Sequence, residues 1–153
     1  MIGLSSLSVA LLAAVVTGTS AAILAWRERP EPGATWLSLL LAGQVWWTVF
    51  LVLELEAATL AAKSLWYDVQ WVGVVLVPVA WLLFALEYTG RDRYVRPGVV
   101  AAACVAPAVT LLVVATGDPY GLVVVDREVS DTMVGSFLRV DPGPWYYVMA
   151  GYT

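Results

Sequence analysis

Four apolar stretches, each long enough to cross a lipid bilayer, constrain this chain more than any other feature of its sequence. They occupy roughly residues 4–26, 35–55, 65–88 and 99–116. A hydrocarbon core of about 30 Å is spanned by about 20 helical residues rising 1.5 Å each. Inside that core no water satisfies the backbone, so a spanning segment folds as a helix or closes into a barrel. Uninterrupted apolar runs of this length select the helix. A fifth run opens at Trp145 and reaches Thr153, about 14 Å of helix at the same rise. The composition agrees: 61% of the residues are hydrophobic and the mean hydropathy is +0.81, against about 45–50% apolar residues in soluble domains. The expected fold is an all-α membrane protein, a single membrane region over residues 1–153 with four transmembrane helices and the start of a fifth. Because the fifth run stops part-way through a helix, the chain reads as the front of something longer.

Charge placement predicts the orientation. The first apolar stretch has no positive charge before it and is followed by Arg27 and Arg29, which argues against a secretory signal peptide. Arginines gather after the first helix (Arg27, Arg29) and after the third (Arg91, Arg93, Arg96), whereas the other connections hold Lys63, Arg127 and Arg139. The excess of positive charge in cytoplasmic loops therefore puts residues 27–34 and 90–98 inside and the N-terminus outside, in a multi-pass protein of the plasma membrane.

Several chemistries are excluded by what the sequence lacks. There is no histidine, hence no histidine metal ligand, general base or phospho-acceptor in this stretch. Cys104 is alone and reads as a small apolar core residue. No nucleophile elbow, phosphate loop, metal-ligand spacing or calcium loop is present, and no basic stripe suits nucleic acid. Neither a catalytic module nor a cofactor or metal is expected, and the first partner is the bilayer itself.

Punctuation along the chain supports this layout. Ala14, Gly18 and Ala22 repeat every four positions, a spacing that lets a second helix approach closely in lipid, or a chance run in an alanine-rich helix. Pro30, Pro32 and Gly33 stop the first helix, and Pro97 suits the first turn of the fourth. Pro78 and Pro107 fall inside the third and fourth helices. Residues 117–144 lack a helical pattern and carry two β-prone stretches, Leu122–Val125 and Phe137–Val140, joined through the polar Arg127, Glu128, Ser130 and Asp131. They predict a short extracellular hairpin pairing those stretches. The segment is acidic, with Asp118, Asp126, Glu128, Asp131 and Asp141 against Arg127 and Arg139, a net charge of −3. Such a lid disfavours anionic ligands.

Polar residues in or beside membrane helices need a reason. On the second helix Gln44, Trp47, Leu51 and Glu54 fall within roughly 80° of arc; on the third, Tyr67, Gln70, Trp71, Val74, Pro78 and Trp81 fall within roughly 100°. A short connection makes the two helices antiparallel neighbours, so that Glu54 and Gln70 meet between them. One reading is an outward-opening ligand pocket with Gln44, Trp47, Glu54, Asp68, Gln70, Trp71 and Trp81 as candidate binding residues. The other is an interface and capping cluster in which Lys63, in the connecting loop, neutralises a carboxylate, while Trp66, Tyr67, Trp145 and Tyr146 form an interfacial belt. Glu87, four residues before Arg91, is expected in a surface ion pair.

The order of landmarks carries a resemblance. Trp26-Arg27 ends the first helix and Pro32-Gly33-Ala34 precedes the second, which holds Trp46 and Leu53-Glu54-Leu55. Lys63, Trp66, Gln70, Gly73, Val77-Pro78, Trp81, Phe84-Ala85-Leu86 and Tyr88-Thr89-Gly90 follow. This pattern resembles the N-terminal seven-helix membrane region of sensor histidine kinases, most closely between Trp46 and Gly90. The resemblance implies an input module ahead of a cytoplasmic dimerisation, phospho-acceptor and ATP-binding unit, and hence a homodimer through the full-length protein. One departure stands out. Where the family often has an asparagine and then a histidine after the fourth helix, this chain has Asp118 and Tyr120, which tells against a histidine-dependent ligand or metal role.

The function expected is a transmembrane sensory module of a two-component histidine kinase, passing a small, unidentified stimulus at the outer face to a cytoplasmic output. The alternative is part of a small transporter or channel whose polar faces line a substrate path, which predicts a protein ending soon after its membrane region. A structural subunit without a ligand leaves the concentrated polar residues unexplained.

Overall fold

A computed structural model describes residues 6–132 and 135–152. Helix α1 spans Ser6–Arg27, α2 Ala34–Glu56, α3 Leu60–Tyr88 and α4 Pro97–Ala115. A hairpin of β1 (Val124–Thr132) and β2 (Gly135–Pro142) leads into α5, Pro144–Tyr152. The first four helices are long and apolar enough to cross a membrane; α5, at 9 residues, is shorter than a span.

Successive helices α1, α2 and α3 run antiparallel. Ser38 Oγ donates to the Ala22 carbonyl at 2.9 Å, and Ser8 Oγ to Glu56 Oε1 at 2.5 Å, at opposite ends of the α1–α2 contact. Between them a methyl group added at Gly18 would lie 2.9 Å from Val45 Cγ2, so the small-residue run on α1 does admit α2. The α2–α3 crossing is tighter still. A methyl group on Gly73 would meet the Gly43 carbonyl oxygen at 2.5 Å and the Trp47 backbone nitrogen at 2.9 Å. Only the absence of a side chain lets these two backbones touch.

Helix α3 begins five residues earlier than the apolar run suggests. Thr59 caps it, its hydroxyl accepting from the Ala62 N–H at 3.2 Å, and the helix formers Leu60, Ala61 and Ala62 complete the turn. Lys63, expected in a loop, therefore lies in the first turn of a helix. At the opposite end of the bundle a one-turn 3₁₀ helix, Asp92–Tyr94, links α3 to α4, and Pro97 occupies the first turn of α4.

The hairpin departs from its predicted register. Val140 pairs with Arg127, Arg139 with Glu128, Leu138 with Val129 and Phe137 with Ser130, with an irregularity between Val124 and Asp126. The polar segment expected to be the connection is thus most of β1, and Leu122 and Val123 lie before the strand. They serve the core instead. Val123 and Val124 pack with Trp71, Val75 and Met149 in a cluster that joins α3, the hairpin base and α5. Asp118 organises this approach, its carboxylate accepting from the N–H groups of Leu122, Val123 and Val124 at 2.7, 2.7 and 2.8 Å. Helix α5 is tied back to α4 by Trp145 Nε1 to Thr110 Oγ1 (2.9 Å) and by the Tyr152 hydroxyl to the Ala103 carbonyl (2.6 Å).

Candidate functional site

The polar residues converge where the hairpin meets the ends of α2 and α3. Glu54, in the last turn of α2, is 4% exposed. Its Oε2 accepts from Gln70 Nε2 at 2.6 Å and its Oε1 from the Leu138 N–H of β2 at 3.3 Å. Gln70, equally buried, uses its own Oε1 to accept from the Trp47 indole N–H at 3.1 Å. A continuous chain of hydrogen bonds therefore runs from a hairpin strand, through Glu54 and Gln70, to an indole two turns deeper on α2. Each group is oriented by the next, as buried polar networks require.

Beside it Lys63 is 1% exposed. Its three ammonium hydrogens match three carbonyls: Glu54 at 2.8 Å, Leu55 at 3.2 Å and Ser136 of β2 at 2.6 Å. The first two lie in the last turn of α2, where the Glu54 carbonyl also accepts from the Ala57 N–H at 3.2 Å; the cation supplements the few partners that a helix C-terminus has and suits the negative end of the dipole. The expected neutralisation of a carboxylate by Lys63 is not what forms. The amine bonds backbone oxygens, and the only ion pair among the described residues is Arg127 with Asp68.

That pair makes the third link to the hairpin. Arg127 of β1 approaches Asp68 with both terminal nitrogens, at 2.6 and 3.0 Å, and its guanidinium lies 5.7 Å from the Tyr67 ring centroid. The planar fork of arginine matches the carboxylate in two parallel bonds. Both side chains are about one quarter exposed, at 24% and 28%, so this link is the wettest of the three.

The seven residues singled out in the sequence thus separate. Trp47, Glu54 and Gln70 share one network, and Asp68 joins it through the hairpin. Trp71 lies apart, 5% exposed in the core cluster and edge-on to Tyr67 and Tyr146. Trp81 is 59% exposed, its ring tilted at 41° to that of Phe84. Gln44 faces outward from α2. It forms no part of the α2–α3 seam, which is narrower than the arc it shares with Trp47.

Three participants escape the sequence reading as partners of the site. Lys63 finds two of its carbonyls on the neighbouring end of α2, but its Ser136 acceptor and the Asp68 acceptor of Arg127 come within reach only when the hairpin folds back, across 73 and 59 positions of sequence. Leu138 contributes only its backbone. Glu87 also differs from expectation. It makes no pair with Arg91; its oxygens accept from the Gly33 N–H and the Trp36 indole, each at 2.9 Å. The unpaired N-terminus of α2, which has no side-chain cap of its own, is thereby capped by a carboxylate from α3.

Clefts flank the network without entering it. One of about 500 Å³ between α3 and α4 has Asp68 at its rim and otherwise apolar walls including Val72, Leu111 and Val114. Another of about 520 Å³ lies between α1 and α2, bordered by Trp26, Trp46 and Phe50. No cluster of potential metal ligands occurs among the described residues.

Comparison with known proteins places this arrangement. No curated protein and no solved structure matches the chain. The family described as the N-terminal 7TM region of histidine kinase matches it over residues 10–153, a range that takes in all of the network and the hairpin. The chain belongs to that family, the N-terminal 7TM region of histidine kinases.

Proposed function

We propose that this chain is the sensory input module of a membrane-bound histidine kinase, and that the hairpin and the Glu54 network are where a stimulus acts. The hairpin end faces outward in this reading and the arginine-rich loops face the cytoplasm. The observation that carries it is the double use of Glu54. One carboxyl oxygen holds the hairpin strand through Leu138, while the other holds the α2–α3 pair through Gln70. Undocking the hairpin would leave the Glu54 and Lys63 side chains without β2 partners in a site that water does not reach. A buried polar group left unpaired costs about 1–3 kcal/mol, so the docked and undocked arrangements of α2 and α3 differ in free energy. A ligand that prefers one arrangement shifts that balance. The helix ends, joined on the far side by Glu87, would carry the bias to an output unit that follows in a full-length homodimer.

The test uses the full-length protein in proteoliposomes with ATP and no added stimulus. Glu54→Gln retains the size of the side chain but replaces one acceptor oxygen with a donor, which clashes with the donor it faces. It is expected to shift basal autophosphorylation by roughly fivefold or more at equal membrane insertion, the size of a typical coupling free energy. Unchanged basal activity in a normally inserted variant would remove the network from signalling.

A further inference from the structure

The end of the bundle opposite the hairpin has a chemistry that the sensory network does not use. The Gly33 N–H bond to Glu87 places the α1–α2 and α3–α4 connections side by side. Together, residues 27–33 and 90–98 hold five arginines against Glu28, Glu31 and Asp92, a net charge of +2. None of these arginines is in an ion pair among the described residues. Arg91, Arg93 and Arg96 are exposed within a six-residue turn that follows a membrane-length helix directly. Two guanidinium groups lie on aromatic rings: Arg29 3.1 Å from the Trp26 centroid and Arg93 4.8 Å from that of Tyr94, with the Arg93 guanidinium also donating to the Tyr94 hydroxyl at 3.0 Å. Tyr88, 72% exposed, completes an aromatic rim with Trp26 and Tyr94.

We propose that this end is a docking surface for anionic phospholipid headgroups, centred on Arg91, Arg93 and Arg96. Three physical features favour that occupant. Amphipathic rings settle at the level of the headgroups, which fixes the depth of the whole rim. At that depth guanidinium groups that have no carboxylate partner among the described residues meet lipid phosphates, which they bind through paired N–H bonds. The net positive charge then favours headgroups with a net negative charge over zwitterionic ones, which offer a phosphate but no net charge. A soluble anion satisfies the same bonds but has no reason to gather at the rim of exposed tryptophan and tyrosine. The surface depends on the membrane placement of the helices and not on which side of the membrane it faces, so it stands or falls separately from the sensory reading.

The chain is reconstituted in nanodiscs containing phosphatidylglycerol and phosphatidylcholine, and the lipid retained with it after detergent extraction is quantified by mass spectrometry. Phosphatidylglycerol is expected to be enriched over its bulk fraction. Each arginine changed to glutamine should lower that preference by roughly fivefold at low salt, as about 1 kcal/mol per basic residue implies. Arg91→Lys, Arg93→Lys and Arg96→Lys combined should retain most of it, and Arg139→Gln on the hairpin should leave it unchanged. Arg139→Gln also controls for any general effect of removing charge. Enrichment that survives the triple glutamine variant, or that is absent from the unmodified chain, overturns the proposal. So does displacement of the bound lipid by millimolar inorganic phosphate in the disc, which would identify the site as one for a soluble anion.

Discussion

Glu54 and Lys63 are both buried, yet neither neutralises the other. Glu54 spends its two oxygens on an amide side chain and a strand N–H, and Lys63 spends its three hydrogens on carbonyls. Burying two ionisable side chains is costly, and complete hydrogen bonding is what offsets the cost. The consequence is sensitivity to small changes. Glu54→Gln should lower stability by about 1–3 kcal/mol, read as a lower thermal midpoint in detergent, because one donor loses its acceptor. Lys63→Met should cost more, since it strips the ammonium from three carbonyls on two elements at once. If the two variants melt like the parent, the network is not holding the hairpin. Asp68 and Arg127 form the more exposed link, and a double-mutant cycle between Asp68→Asn and Arg127→Gln should yield a coupling near 1 kcal/mol, smaller in high salt.

At the scale of elements, the α2–α3 seam depends on a glycine. The Gly73 backbone lies so close to Gly43 and Trp47 that an added methyl group has no flexible neighbour to push aside, because the nearest atoms belong to the main chain. Gly73→Ala should therefore force the helices apart at a cost of about 1–3 kcal/mol. The Trp47–Gln70 bond sits beside the crossing, so the same variant should shift the indole emission, and spectra that overlay the parent's would show the seam is looser than its geometry implies. The hairpin is held differently. Its strands pair with each other, but three side-chain links dock it on the helices, so Arg127→Gln should speed amide exchange at Ser136 and Leu138 while leaving the α2–α3 amides protected.

The whole molecule is electrically polarised. The arginine-rich connections carry net positive charge and residues 117–144 a net −3. That asymmetry motivates the proposed orientation, which would put Glu31 and Tyr94 in the cytoplasm. In a Cys104→Ser background, Glu31→Cys and Tyr94→Cys should react with an impermeant thiol reagent only in inverted vesicles, and labelling of intact cells would reverse the topology.

The sequence determined the four long helices, since apolar length and the need to satisfy a backbone away from water leave no other solution. It also determined the antiparallel meeting of Glu54 with Gln70, because helical periodicity and a short connection place both on facing arcs. It did not determine the strand register. A valine-rich, β-prone run marked Leu122–Val125, but Val123 and Val124 are drawn into a core shared with Trp71 and Met149, and the polar residues after them supply most of the strand. Nor did it show that Lys63 would bond carbonyls, that Arg127 would find Asp68, or that Glu87 would cap α2. The bonds of Lys63 to Ser136, Arg127 to Asp68 and Glu87 to Gly33 join positions 73, 59 and 54 residues apart, and a residue's own neighbours in sequence hold no information about which distant partner will be brought into reach. Local physics wrote the helices, while packing chose the partners.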